Sequence, residues 1–129
     1  MALRTQIGII DDDIDIVNLF SDILTSSGFN TSGFNDPLAA IMHLRTHHNE
    51  FRLIISDLKM PEMDGKEIIK LISQMDNDIN LMLMSAYDLD LNELLEIRRE
   101  DYIRKPVHIA QFIEAVKKKL IPVNQACVE

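Results

Sequence analysis

Gln6-Ile7-Gly8-Ile9-Ile10-Asp11-Asp12-Asp13 is a short apolar run that stops at three consecutive aspartates. A second run, Phe51-Arg52-Leu53-Ile54-Ile55-Ser56, stops the same way at Asp57. Short, nearly continuous apolar runs bounded by polar residues read as strands buried on both faces, as in a parallel sheet. Two such parallel strands would bring their terminal carboxylates to one sheet edge. Carboxylates held that close repel by an amount on the order of several kcal/mol at low dielectric. A shared proton, a lysine or a metal ion must offset that repulsion, and an all-oxygen donor set suits Mg²⁺.

Outward from these runs the chain alternates apolar stretches with amphipathic ones, the pattern of an α/β domain. After the strand at Gln6–Ile10, a helix is expected over Ile14–Ser26, with Ile16, Val17, Phe20, Ile23 and Leu24 at helical spacing and Gly28 as its stop. A strand follows at 29–34. Asp36 and Pro37 start a helix that runs to about Thr46. Leu53, Ile54 and Ile55 mark the central strand. Pro61 and Gly65 punctuate a loop before a helix at 66–75. A strand at 80–84, a helix at 89–97, a strand at Tyr102–Arg104 and a helix at Ile109–Leu120 complete five βα units. The domain is assigned to residues 1–121, with 122–129 as a tail lacking pattern.

In open sheets of this kind ligands sit beyond the carboxyl ends of the strands, where strand order reverses. The first strand delivers Asp11 and Asp12 there, the third Asp57, the fourth Ser85, and the segment after the fifth Lys105. Polar groups spread over nearly the whole chain thus converge on one edge.

These residues resemble the receiver domain of two-component response regulators, of the chemotaxis-regulator-like kind. The acidic pair Asp11 and Asp12, Asp57 within Ser-Asp-Leu-Lys-Met-Pro-Glu-Met-Asp-Gly (56–65), Ser85 followed by Ala86, Tyr102, and Lys105-Pro106 carry the resemblance, which covers about residues 4–120. It implies a flavodoxin-like, doubly wound (βα)5 three-layer sandwich with parallel strand order 2-1-3-4-5. It implies that Asp57 accepts a phosphoryl group. Mg²⁺, with Mn²⁺ as a substitute, would be held by Asp12, Asp57 and the Lys59 backbone carbonyl, and by Asp11 mainly through water. Lys105, Ser85 and the Ala86 amide would contact the phosphoryl oxygens. Ser85 and Tyr102 would form a switch acting on the face built from 89–97, the fifth strand and Ile109–Leu120. The expected partners are a sensor histidine kinase or histidine phosphotransfer protein and a downstream protein target, with a phosphorylation-dependent homodimer among the outputs left open.

Some positions depart from the family pattern. Glu96, Ile97, Arg98, Arg99, Glu100 and Asp101 stand where a small-residue turn is usual. Ser85 replaces the commoner threonine, and Val107 replaces an aromatic. Lys59 and Tyr87 are expected to overhang the phosphoryl site and slow attack by water. Asp13 is expected to face solvent or cap the first helix.

The bulk composition fits this reading. The 129 residues are 47% apolar and 26% charged, normal for a globular domain. A net charge of −8 disfavours non-specific contact with nucleic acid or anionic membrane. No apolar run reaches the length of a membrane span. The single cysteine, Cys127, has no intramolecular partner, and the expected compartment is cytoplasmic. An aspartate nucleophile with Mg²⁺ also serves phosphohydrolases, but no extra catalytic acid flanks Asp57, so the chain is read as a phosphoacceptor and not as a turnover enzyme. His43 and His47, four apart on a predicted helix, are read as a solvated helix end, with His48 following.

Overall fold

The computed structural model describes residues 4–85, 102–105 and 108–120. Five parallel strands, β1 (Gln6–Ile10), β2 (Asn30–Phe34), β3 (Phe51–Asp57), β4 (Asn80–Ser85) and β5 (Tyr102–Arg104), form one sheet in the order β2-β1-β3-β4-β5. Helices α1 (Ile14–Ser26), α2 (Pro37–His47), α3 (Gly65–Met75) and a C-terminal helix (Ile109–Leu120) cover its faces. This is the doubly wound flavodoxin-like arrangement expected from the sequence. The helix expected at 89–97 lies outside the described residues.

Alternation along the strands sorts side chains into two cores. Ile7 and Ile9 of β1, Leu53 and Ile55 of β3, and Met82 and Met84 of β4 pack on Phe20 and Leu24 of α1 and on Phe112 and Val116 of the C-terminal helix. The rings of Phe20 and Phe112 lie 4.5 Å apart and tie these two helices together. Ile10 and Ile54 point the other way, onto Ala40, Ile41 and Leu44 of α2 and Ile68 and Ile72 of α3. A register shift between Gln6 and Ile7 in the β1–β3 ladder separates Phe51 from Leu53, so Phe51 joins the α2–α3 core while Leu53 joins the other. Each fully buried side chain of this size stabilises the fold by roughly 1.5–3 kcal/mol.

Helix ends follow the chemistry of their caps. Asp13, Asp36 and Asp64 each accept a hydrogen bond from the amide two residues on, and Pro37 occupies the first turn of α2. At the far end of α1 the chain reverses through Gly28 at φ 96°, a conformation that glycine adopts without strain. The expected elements that fall within the described residues match to within a residue or two. The main difference is that β3 extends through Asp57 and β4 through Ser85, so both candidate side chains are carried on strand ends rather than on loops.

Candidate functional site

Parallel pairing fixes where the polar side chains emerge. Ile10 pairs with Ser56, Asp57 with Met84, and Ser85 with Arg104. Asp11 and Asp57 therefore stand level on the adjacent strands β1 and β3, at the carboxyl edge where the chain order reverses, and Lys105 follows the end of β5 on the far side of β4. The backbone continues the ladder past the strand ends: the Leu58 amide donates to Met84 O at 2.7 Å and the Lys105 amide to Ser85 O at 2.7 Å.

Carboxylate oxygens of Asp11, Asp12 and Asp57 all lie within 4.8 Å of one another. Asp11 is buried, with both oxygens engaged: Oδ1 accepts from the Asp13 amide at 3.0 Å and Oδ2 from Lys105 Nζ at 2.8 Å. Lys105 Nζ lies 3.6 Å from Asp57 Oδ1. Asp12 is exposed and Asp57 is nearly buried at the base of the cluster. Lys105 thus sits against Asp11 and Asp57, and the protons reflect the crowding of the carboxylates. Burial first, then repulsion from Asp11, push the Asp57 carboxyl up to about 6, with Asp12 adding to the rise. Lys105 and the Lys59 amide oppose it without cancelling it. Burial disfavours the Lys105 ammonium, but the bond to Asp11 and the charges of Asp11 and Asp57 outweigh that, and its pKa is raised. A small divalent cation would relieve the surplus. The donor set fits Mg²⁺, which takes one or two carboxylates and keeps several waters.

Of the residues singled out in the sequence, the structure brings Asp11, Asp12, Asp57 and Lys105 together. Ser85 is fully buried at the end of β4, and Tyr102, half-buried, sits opposite Leu83 on the adjoining strand. Lys59 is exposed directly after Asp57 and Leu58. Asp13 leaves the cluster and caps α1, as expected. Ala86, Tyr87, Pro106 and Val107, and the turn at 96–101, lie outside the described residues.

Two features escaped the sequence reading. On the rim, a hydrogen bond to Asp36, then the Asp36 charge, raises the pKa of the Glu62 carboxyl. At the opposite edge of the sheet, Asp76 is a hub. It accepts from Arg4 Nη1 at 2.7 Å and Nη2 at 3.2 Å, pairs with His48 Nδ1 at 2.7 Å, and takes the Asp78 amide at 3.0 Å. The view of His43 and His47 as a solvated helix end needs correction. Both are half-buried and stacked at 4.3 Å, with His43 also against Phe34 and Phe51. An imidazole has enough apolar area to pack at the margin of a core, and the sequence spacing alone does not distinguish that from solvation.

Similarity to known proteins follows the same outline. The family profile for the response regulator receiver domain matches residues 7–117. The chain is 29% identical over 111 residues to the transcriptional regulatory protein CpxR homolog of Haemophilus influenzae, covering 84% of this chain and 47% of that protein. It is 31% identical over 120 residues to sporulation initiation phosphotransferase F of Bacillus subtilis, covering 92% of this chain and 95% of that protein. Against the crystal structure of a response regulator receiver domain protein from Clostridium thermocellum the TM-score is 0.80 at 20% identity, over 96% of this chain and 98% of the other. The chain therefore spans about half the length of one curated relative and nearly all of the other.

Proposed function

The chain belongs to the family of response regulator receiver domains, and we propose from that premise that it receives a phosphoryl group on Asp57 from a phosphohistidine donor. The observation that carries this reading is the under-neutralised carboxylate cluster at the carboxyl edge, with Asp57 at its base and Lys105 beside it. With a pKa of about 6, Asp57 is mostly ionised at neutral pH and is available as a nucleophile. Its carboxylate oxygen forms the new O–P bond as the P–N bond to the donor imidazole breaks, and the imidazole leaves with the electron pair and takes up a proton.

Asp11, Asp12 and Asp57 would hold Mg²⁺, with the Lys59 carbonyl. Bound there, the ion supplies positive charge that offsets repulsion between the Asp57 carboxylate and the phosphoryl oxygens. The chain's own residues do the rest. Lys105 is held over the site by Asp11 and is placed to pair with a phosphoryl oxygen. Ser85 is the hydroxyl drawn toward the phosphoryl group, and its movement frees space for Tyr102 to turn inward. That exchange is a local charge change biasing a two-state element. The surface it alters carries the signal to a partner protein, consistent with a net charge of −8 that disfavours direct contact with nucleic acid. Residues 1–121 form the receiver unit in this reading.

The test is incubation with acetyl phosphate and Mg²⁺, followed by intact mass. Wild type should gain one phosphoryl group, and Asp57→Asn should gain none. Uptake that survives Asp57→Asn, or that ignores chelation of Mg²⁺, would overturn the assignment. Sizing chromatography of the phosphorylated chain distinguishes a dimerising output from a monomeric relay.

A further inference from the structure

The phosphoacceptor is only as well placed as the backbone that carries it, and that backbone is gripped in an unusual way. Ser56 is fully buried next to the end of β3, and its Oγ donates to the Asp57 carbonyl oxygen at 3.0 Å. Ser56 lies on the same face of β3 as Ile54, and a hydroxyl buried there is tolerated only with a hydrogen-bond partner, which the Asp57 carbonyl supplies. This Asp57–Leu58 peptide is held again at its amide, and the peptide after it at its carbonyl. The Leu58 amide donates to Met84 O at 2.7 Å, and the Leu58 carbonyl accepts from the Gly65 amide at 2.8 Å.

Gly65 closes the grip by contact. A Cβ at this position would overlap the Asp57 carbonyl oxygen and lie 2.9 Å from Leu58 Cα and 3.2 Å from the Asp57 carbonyl carbon. These are backbone atoms, which cannot swing aside as the end of a side chain can. Among the described residues the only glycine with positive φ is Gly28, so Gly65 is required for space and not for its backbone angles. The first residue of α3 is thus seated directly on the peptide that follows the phosphoacceptor.

We propose that Ser56 and Gly65 are positioning residues for phosphoryl transfer, holding the Asp57–Leu58 peptide so that the Asp57 carboxylate keeps its place in the cluster. The inference rests on the proposed role of Asp57. Neither residue touches the phosphoryl group. Both act through the main chain, on a reaction in which small displacements of the attacking atom are costly in rate.

The test measures the initial rate of phosphorylation against acetyl phosphate concentration at saturating Mg²⁺, per folded molecule by circular dichroism. The variants are Ser56→Ala, Ser56→Thr, Gly65→Ala and, as control, Gly33→Ala, whose Cβ would meet the Val17 side chain rather than the Asp57–Leu58 backbone. Loss of position lowers the maximum rate and leaves the donor concentration for half-maximal rate unchanged. The expected falls are about tenfold for Ser56→Ala and about 100-fold for Gly65→Ala. Ser56→Thr, which keeps the hydroxyl, should recover most of the rate. Gly33→Ala should lower stability and keep the wild-type rate. Amide NMR signals of Leu58 and Lys59 should shift in Ser56→Ala and Gly65→Ala. Should Gly65→Ala fail to fold, Ser56→Ala against Ser56→Thr decides the question. Folded Ser56→Ala with a wild-type rate, or a rate lost equally in Ser56→Thr and Gly33→Ala, overturns the proposal. Wild type that takes up no phosphoryl group overturns the proposed function, and this inference with it.

Discussion

The two edges of one sheet carry opposite electrostatic solutions. At the carboxyl edge three carboxylates, Asp11, Asp12 and Asp57, cluster, and Lys105 pairs with Asp11 and Asp57. At the amino edge one carboxylate, Asp76, takes bonds from Arg4, His48 and the Asp78 amide. The outcome is visible in the protons. Burial raises both carboxyl groups, but at Asp76 the bonds from Arg4, His48 and the Asp78 amide, with the Arg4 charge, outweigh it and hold the group at about 2. At Asp57 repulsion adds to burial and the group rises to about 6. One edge is saturated and closes the fold. The other is crowded with carboxylates, which suits the proposed receipt of a cation and a phosphoryl group there.

The strongest way to break this comparison is to neutralise each aspartate in turn. In chelator at neutral pH, Asp76→Asn should destabilise the fold by about 2–3 kcal/mol, since a carboxylate held some two units below its ordinary pKa loses its charge-assisted bonds. Asp57→Asn should do the reverse and stabilise by about 1–2 kcal/mol, because it removes repulsion. Urea unfolding reads both. Equal signs for the two variants would dissolve the contrast.

The pH dependence separates the edges without mutation. Asp57 has a folded pKa raised above the unfolded value of 3.8, so its contribution is fully present below about pH 4 and is lost as pH rises through about 6. Asp76 has a folded pKa depressed below 3.8, so its contribution is present above about pH 4 and is lost as pH falls toward 2. Metal-free protein should therefore lose roughly 2 kcal/mol between pH 4 and pH 7 from the first group. Asp57→Asn should flatten that limb, and Asp76→Asn should flatten only the acid limb.

The difference between the edges also explains what was legible in the sequence. Asp11, Asp12, Asp57 and Lys105 could be assembled because each ends a strand and because their motif resembles a known family. Arg4, His48 and Asp76 obey the same geometry: they precede β1, β3 and β4, which are neighbours in the sheet. Nothing in their local sequence sets them apart from ordinary surface charge, so the convergence went unread. The elements themselves were legible because buried strands and capped helices carry local signals, such as Asp36-Pro37 and the apolar run before Asp57. The packing of His43 against Phe34 and Phe51 and the contact of Gly65 with the Asp57 backbone depend on packing across the fold, which no local pattern encodes.

Magnesium sharpens the contrast from the other side. At ten times its dissociation constant, a cation that binds only the folded state stabilises it by about 1.4 kcal/mol. Wild type should show that gain in thermal unfolding at pH 7.5. Asp76→Asn should keep it, because the saturated edge has no part in binding, and Asp57→Asn should lose most of it. The gain in wild type should shrink at pH 5, where a proton on Asp57 competes with the ion. An undiminished gain in Asp57→Asn would place the cation elsewhere.

The smallest effects fall within the aspartate triplet, where neighbours in sequence serve different ends. Asp13 points away from the cluster, and its carboxylate accepts the Asp15 amide to cap α1. Asp12 is exposed on the cluster itself. Removing an N-cap acceptor typically costs about 1 kcal/mol. Asp13→Ala should therefore lower stability by about that amount while leaving the Mg²⁺-induced shift intact. Asp12→Ala should leave metal-free stability unchanged or slightly raised, since a repelling charge is gone, and should weaken the Mg²⁺ shift. The two variants differ by one position and by which function they remove. If Asp13→Ala weakened the Mg²⁺ response as much as Asp12→Ala, the triplet would be acting as one diffuse negative patch, and the division between a structural cap and a metal-facing ligand would not hold.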